Sequence, residues 1–147
     1  MSTTEDELFA LSVIYATAAD GRDPAAFLGA FTDDARLRVS APGAPGRIVR
    51  TYSGAGELAQ VPVRLGRYQR TSHVVGPADL RVDGRGATGE VHCVAHHVEQ
   101  GPTGWTDKVM TIRYADVYRL TEAGWRIAER TVQVDGTETR PAAAPEP

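Results

Sequence analysis

The chain has 147 residues, 41% of them apolar, and a formal charge of -3, which suits one soluble-type domain with a single core. Sixteen basic against 19 acidic residues without a basic block argue against nucleic acid or an anionic membrane as partner, and no apolar run approaches the roughly 20 residues of a membrane span. The acidic start MSTTEDELFA lacks the cationic region of a signal peptide and the lone Cys93 permits no internal disulfide, so a cytoplasmic setting is expected.

Along the chain, TEDELFALSVIYATAADG reads as the first helix. Thr4 and Glu7 have capping-box spacing, and Leu8, Leu11, Tyr15 and Ala18 form the buried stripe. GRD breaks it. DPAAFLGAF begins a second helix, with Asp23 as N-cap, Pro24 at the first position, and Asp33-Asp34 as its stop. ARLRVS is a short alternating strand, APGAPG a loop, RIVRTY a strand, and SGAGELAQ a short helix ending near Pro62. Four period-two segments follow: TSHVVGPADLRV, ATGEVHCVAHHVE, DKVMTIRYADVYRL and GWRIAERTVQVD. DGRG at 83–86 and TEAG at 121–124 read as tight turns between neighbouring strands. Helices first and an antiparallel meander after predict an α+β fold, one domain over 1–136 and a disordered tail over 137–147.

Strand parity sorts the chemistry-bearing residues. On the strand around Cys93, one face carries Gly89, Val91, Cys93, Ala95 and His97, small and apolar until the histidine. The opposite face carries His92, Val94, His96 and Val98, a surface suited to solvent or, with Val117, to a subunit contact. On the next strand Met110, Ile112, Tyr114, Asp116, Tyr118 and Leu120 share the inward face. On the last, Trp125, Ile127 and Glu129 are expected together, with Arg126 and Arg130 opposite. His73, His97, Tyr114 and Asp116, joined by Tyr15, therefore gather on apolar faces. Burying each without a partner costs a few kcal/mol, so they should meet one another, water or a ligand. That pattern predicts a pocket.

Several motifs lead nowhere. GRGATG (84–89) matches G-x-G-x-x-G but runs into a strand, with no helix to receive a pyrophosphate. His92 and His96 would stand about 13 Å apart along one strand, too far to share an ion, and His97 faces the other way. No metal and no cofactor is expected, and Cys93 reads as a small packed hydrophobe.

IYATAADGRDPAAFLGAFTDDA, YSGAGEL, RTSHVVG and RYADVYRLTEAGWRIAER, in that order, resemble the SnoaL-like branch of the nuclear-transport-factor-2-like superfamily over roughly residues 5 to 135. The resemblance implies a cone-shaped α+β barrel: three N-terminal helices on a strongly curved, mixed but mainly antiparallel sheet enclosing a pocket. It implies a histidine base at His73, as in scytalone dehydratase and hexachlorocyclohexane dehydrochlorinase, and its aspartate partner at Asp20. It also implies a second pocket histidine at His97, a pocket tyrosine at Tyr114, and at Tyr15 the oxyanion-binding tyrosine of ketosteroid isomerase. Departures accompany it. The isomerase's aspartate base would fall near Val39 or Ser40. Ala19 and Ala41 replace the two water-binding tyrosines of scytalone dehydratase. No arginine is placed on a pocket face to complete the Asp-Arg-Asp set of limonene-type epoxide hydrolases.

The expected function is a cofactor-independent lyase, isomerase or cyclase acting on a small hydrophobic cyclic or polyketide-like molecule. His73 would take a proton, and Asp20 would fix the imidazole tautomer. Tyr15, His97 and Tyr114 would donate hydrogen bonds, with Asp116 nearby. Val91, Met110, Ile112, Phe27 and Trp125 would form apolar walls. The competing expectation is a non-catalytic small-molecule binder or assembly subunit, in which Asp20 and His73 are a buried structural pair or Asp20 only caps a helix. Asp116 is expected to pair with a buried neighbour rather than to act in catalysis. Homodimerisation is expected of the fold.

Overall fold

The computed structural model describes residues 3–147. Its first helix, α1, spans Thr4–Asp20. The capping box sits one residue earlier than expected: Asp6 N–H donates to Thr3 Oγ1 at 3.1 Å and Thr3 N–H to the Asp6 carboxylate at 3.0 Å. Leu8, Leu11, Tyr15 and Ala18 are all buried. The chain leaves α1 through Gly21 and through Arg22, which takes a left-handed φ of 55°. α2 (Pro24–Leu28) starts on the expected Asp23 cap, whose carboxylate accepts from Ala26 N–H. It ends before Asp33-Asp34 because Phe31 already pairs with Ile127 as a strand and Ala30 C=O accepts from Ile127 N–H.

β1 (Phe31–Ala41) and β2 (Ala44–Ser53) form a hairpin, the APGAPG loop shrinking to a tight turn with Gly43 at φ 75°. The expected third helix is two short ones, α3 (Gly54–Leu58) and α4 (Gln60–Leu65). Pro62 does not stop the segment. It occupies the first turn of α4, where a missing N–H has no intrahelical partner to lose. β3 (Arg70–Asp83), β4 (Gly86–Gly101), β5 (Gly104–Thr121) and β6 (Gly124–Pro141) follow as the antiparallel meander. The expected boundary at 136 falls inside β6, whose pairing continues to Thr106↔Pro141.

The six strands form one mixed sheet in the order β2-β1-β6-β5-β4-β3, with β1 parallel to β6 and every other pair antiparallel. The sheet is not a closed barrel: β2 and β3 are its free edges. The helices cover one face, and the core lies between, from Leu8 and Leu11 on α1 to Val91, Cys93, Tyr114 and Ile127 on the strands. No helix is long and apolar enough to cross a membrane among the described residues.

Parity holds on β4 and β5 and fails on β6. Val117 pairs with Glu129 but Tyr118 with Ile127, so Ala128 is an extra residue, a β-bulge. Each residue inserted this way reverses the faces beyond it. Trp125 and Ile127 point inward as expected, whereas beyond the bulge Arg130, Val132 and Val134 do, and Glu129 is exposed. On the outer face Val98 is buried rather than exposed, and the partner of Val117, Thr88, lies six positions along β4 from Val94. At about 3.3 Å per residue that is some 20 Å, so Val94, Val98 and Val117 do not form one patch.

Candidate active site

Between the helices and the sheet lies a cavity of about 550 Å³, within the range of small-molecule sites. Tyr15, His73, His97, Met110, Ile112 and Tyr114, six of the predicted residues, line it. Asp20, Val91, Asp116 and Trp125, and the wall residue Phe27, do not. The cavity reaches no further along β5 than Tyr114. Past it α1 closes down on the sheet, and Ser12 Oγ accepts from Arg130 Nη2 at 2.6 Å. Val91 is sealed in the core, and Trp125 sits at the β5–β6 turn, opposite Leu120.

Asp20, at the last position of α1, reaches β3. Its Oδ1 lies 2.7 Å from His73 Nδ1 and accepts from Thr71 Oγ1 at 2.9 Å; its Oδ2 accepts from the His73 backbone N–H at 2.9 Å. Thr71 in turn accepts from Arg22 at 2.7 Å, so the left-handed turn after α1 braces the same contact. Burial pushes the Asp20 carboxyl upward, but its hydrogen bonds from His73 and Thr71 outweigh this and hold it below its ordinary value of 3.8. Asp20 is therefore ionised and can only accept, so Nδ1 of a neutral His73 carries the proton and Nε2 keeps its lone pair.

His97 is 4% exposed. Its Nδ1 donates to Lys108 C=O at 2.9 Å, and burial lowers its pKa from 6.5. A neutral ring with that tautomer offers an acceptor at Nε2, not the donor the sequence suggested. Its ring lies 5.9 Å from that of His73 and 4.9 Å from that of Tyr68. The Tyr15 and Tyr114 rings meet edge to face at 5.3 Å. Burial raises both hydroxyls, Tyr15 to about 12, so both stay protonated and can donate.

Asp116 is the centre of a buried network instead of a cavity residue. Arg130 Nε and Nη2 donate to its two carboxylate oxygens, each at 2.8 Å, and Tyr118 Oη donates to Oδ2 at 2.7 Å. Burial works against the charge of Arg130, and Asp116 more than compensates. The guanidinium carbon lies 4.0 Å from the Tyr114 ring centre and 4.5 Å from that of Tyr15, while Nη1 has no hydrogen-bond partner among the described residues. The π faces of the two tyrosines take up charge that no acceptor receives. Sequence reasoning missed Arg130 because the bulge hides it. A signal existed: the apolar parity of β6 is odd at 125 and 127 and even at 132 and 134.

His92 and His96 lie on the outer face, His92 3.7 Å from Glu90 and His96 2.7 Å from Asp107. Among the described residues no group of three or more His, Cys, Asp or Glu is placed to hold a metal ion.

Helices packed on an open mixed sheet give a small α+β fold of the cystatin-like kind, with the histidine–aspartate contact at the wall of its cavity. Residues 2–131 match the SnoaL-like domain, and the chain belongs to that family. No curated protein matches it. Among solved structures it is similar to a hexachlorocyclohexane dehydrochlorinase from Novosphingobium barchaimii, with 15% identity, a TM-score of 0.75 and 99% of each chain covered. It is similar to a scytalone-dehydratase-like protein from Novosphingobium aromaticivorans, with 18% identity, a TM-score of 0.71, and 95% of this chain and 89% of that one covered. A third likeness is to the β subunit of an aromatic-ring-hydroxylating-dioxygenase-type protein from the same organism, with 21% identity, a TM-score of 0.69, and coverage of 87% and 86%. At these identities the likenesses show the fold.

The Asp20 contact has a measurable consequence. Its folded carboxyl titrates below the unfolded value of 3.8, so the stability it contributes is fully present above that pH and is lost as pH falls through the folded value. Urea unfolding between pH 6 and 3 should show wild type losing stability more steeply below about pH 4 than Asp20→Asn does. Parallel curves for the two proteins would remove the dyad as a source of acid sensitivity.

Proposed function

We propose that this protein is a cofactor-independent lyase or isomerase/cyclase acting on a small hydrophobic cyclic molecule, with His73 as general base and Asp20 as its orienting partner. The observation that carries the reading is the 2.7 Å contact from Asp20 to His73 Nδ1 on a residue that lines the cavity. Elimination is the favoured reaction: dehydratase and dehydrochlorinase, the names borne by two structural neighbours, each denote one. Nε2 takes a proton from carbon, the C–H pair becomes the new C=C bond, and the leaving group departs with its own bonding pair. Tyr15 and Tyr114 donate hydrogen bonds to the oxygen or leaving group that gains charge. Imidazolium formed in the step is stabilised by the Asp20 carboxylate.

The non-catalytic alternative is supported by the dioxygenase-type β subunit among the neighbours. An open cavity beside the dyad favours chemistry over it. The test is a screen of cyclic β-hydroxy and β-halo carbonyl compounds for loss of water or halide, followed by mass spectrometry. The proposal expects turnover by wild type that is lost in His73→Gln. Undiminished turnover by that variant would overturn it.

A further inference from the structure

The charge of this chain is unevenly placed. Residues 35–78 contain seven arginines and one acid, Glu57. The rest therefore holds nine basic residues (16 less 7) and 18 acidic ones (19 less 1). The overall charge of -3 hides a segment of +6 inside a remainder of -9. That segment supplies the mouth of the cavity. Arg50, Arg64 and Arg67 line it, and no aspartate or glutamate does. Among the described residues none of the three is within ion-pair distance of a carboxylate.

The arginines engage two tyrosines. Arg50 Nη1 donates to Tyr52 Oη at 3.3 Å, and the Arg64 guanidinium stands 5.8 Å from the centre of that ring. Arg67 Nη2 donates to Tyr68 Oη at 2.5 Å and lies over its ring at 4.7 Å. Each phenol oxygen thus accepts from an arginine, and its own proton remains available to donate. Tyr68 also packs against His97, which packs against His73, so this rim is continuous with the dyad. The mouth presents fixed positive charge and hydrogen-bond donors with no acidic acceptor. The interior beyond it is mostly apolar, with Leu37, Val39 and Ile112 on its walls.

We infer that the cavity takes an apolar ring compound carrying an oxyanion, of carboxylate type, held at the mouth by Arg50, Arg64 and Arg67. The inference rests on the proposed function for which end of the ligand reacts: the ring reaches His73 and the anion stays at the rim. Guanidinium forks match a carboxylate in shape and charge, and the tyrosine protons complete the ring of donors. The arginines are exposed, so the attraction is screened by salt and should depend on ionic strength.

The experiment is isothermal titration calorimetry with benzoate, 2-naphthoate and cholate, each compared with its own primary amide. The inference expects at least one acid to bind about tenfold or more tightly than its amide at low salt, with the gap narrowing as salt rises. Arg50→Gln/Arg64→Gln/Arg67→Gln, at three exposed positions, should abolish the preference while circular dichroism stays unchanged. His73→Gln should keep it, because the anion is read at the rim. Binding of no acid, equal binding of acid and amide, or a preference that survives the triple replacement would overturn the inference. Loss of turnover in His73→Gln tests the proposed function separately, since neither result determines the other.

Discussion

Turnover by His73→Gln is expected to fall about 10²–10⁴-fold, the factor that a positioned general base supplies. Glutamine can still donate to Asp20 across the same contact, so the end of α1 and the start of β3 stay joined. What it lacks is a basic nitrogen on the cavity side. The loss should therefore lie in kcat, with KM nearly unchanged, because the apolar walls that bind the ligand are intact. A change confined to KM would make His73 a binding group. Activity within about threefold of wild type would remove it from the chemistry. Asp20→Asn should act in the same direction through a different cause. An amide does not require Nδ1 to be the protonated nitrogen, and it cannot stabilise imidazolium as a carboxylate does.

The second large effect is on stability. Asp116 and Arg130 have fully buried side chains and are joined by two hydrogen bonds of 2.8 Å. Asp116→Ala leaves a guanidinium in the core with only Ser12 Oγ and two tyrosine faces for company. Breaking a buried pair on one side costs about 3–5 kcal/mol, a large share of the roughly 5–15 kcal/mol that holds a domain together. For a chain of this size the melting temperature should drop by about 10 °C or more. Asp116→Leu with Arg130→Met should recover much of the loss, since well-packed apolar residues often replace such a pair at little cost. A single variant that melts within about 2 °C of wild type would show that the pair carries little stability. Tyr15 and Tyr114, stacked on the guanidinium, connect this network to the cavity.

Periodicity made most of this molecule legible. The α1 stripe, the Asp23 cap and the four-strand meander follow from side-chain spacing and turn chemistry, which are local. Parity on β4 and β5 placed His97, Met110, Ile112 and Tyr114 correctly because those strands are regular up to the turn of the cavity wall. It failed on β6 because a bulge is one inserted residue, and counting by twos passes over Ala128 unaware. Arg130 was lost with it. The Asp20–His73 contact joins residues 53 apart, and only the family resemblance brought them together. The arginine mouth was overlooked for another reason: a net charge of -3 averages over opposite segments. Arg50 comes from an edge strand and Arg64 and Arg67 from the end of a six-residue helix and the turn after it. No period links them, and tertiary packing alone sets them around one opening.

Nitrogen-15 NMR of the His73 ring, recorded where the imidazole is neutral, tests most directly whether Asp20 presents this residue as a base. The structure predicts a proton on Nδ1, shared with Asp20, and a bare Nε2, with that preference lost in Asp20→Asn. A neutral His73 protonated on Nε2 would contradict it, because the nitrogen left for the substrate could then accept no proton.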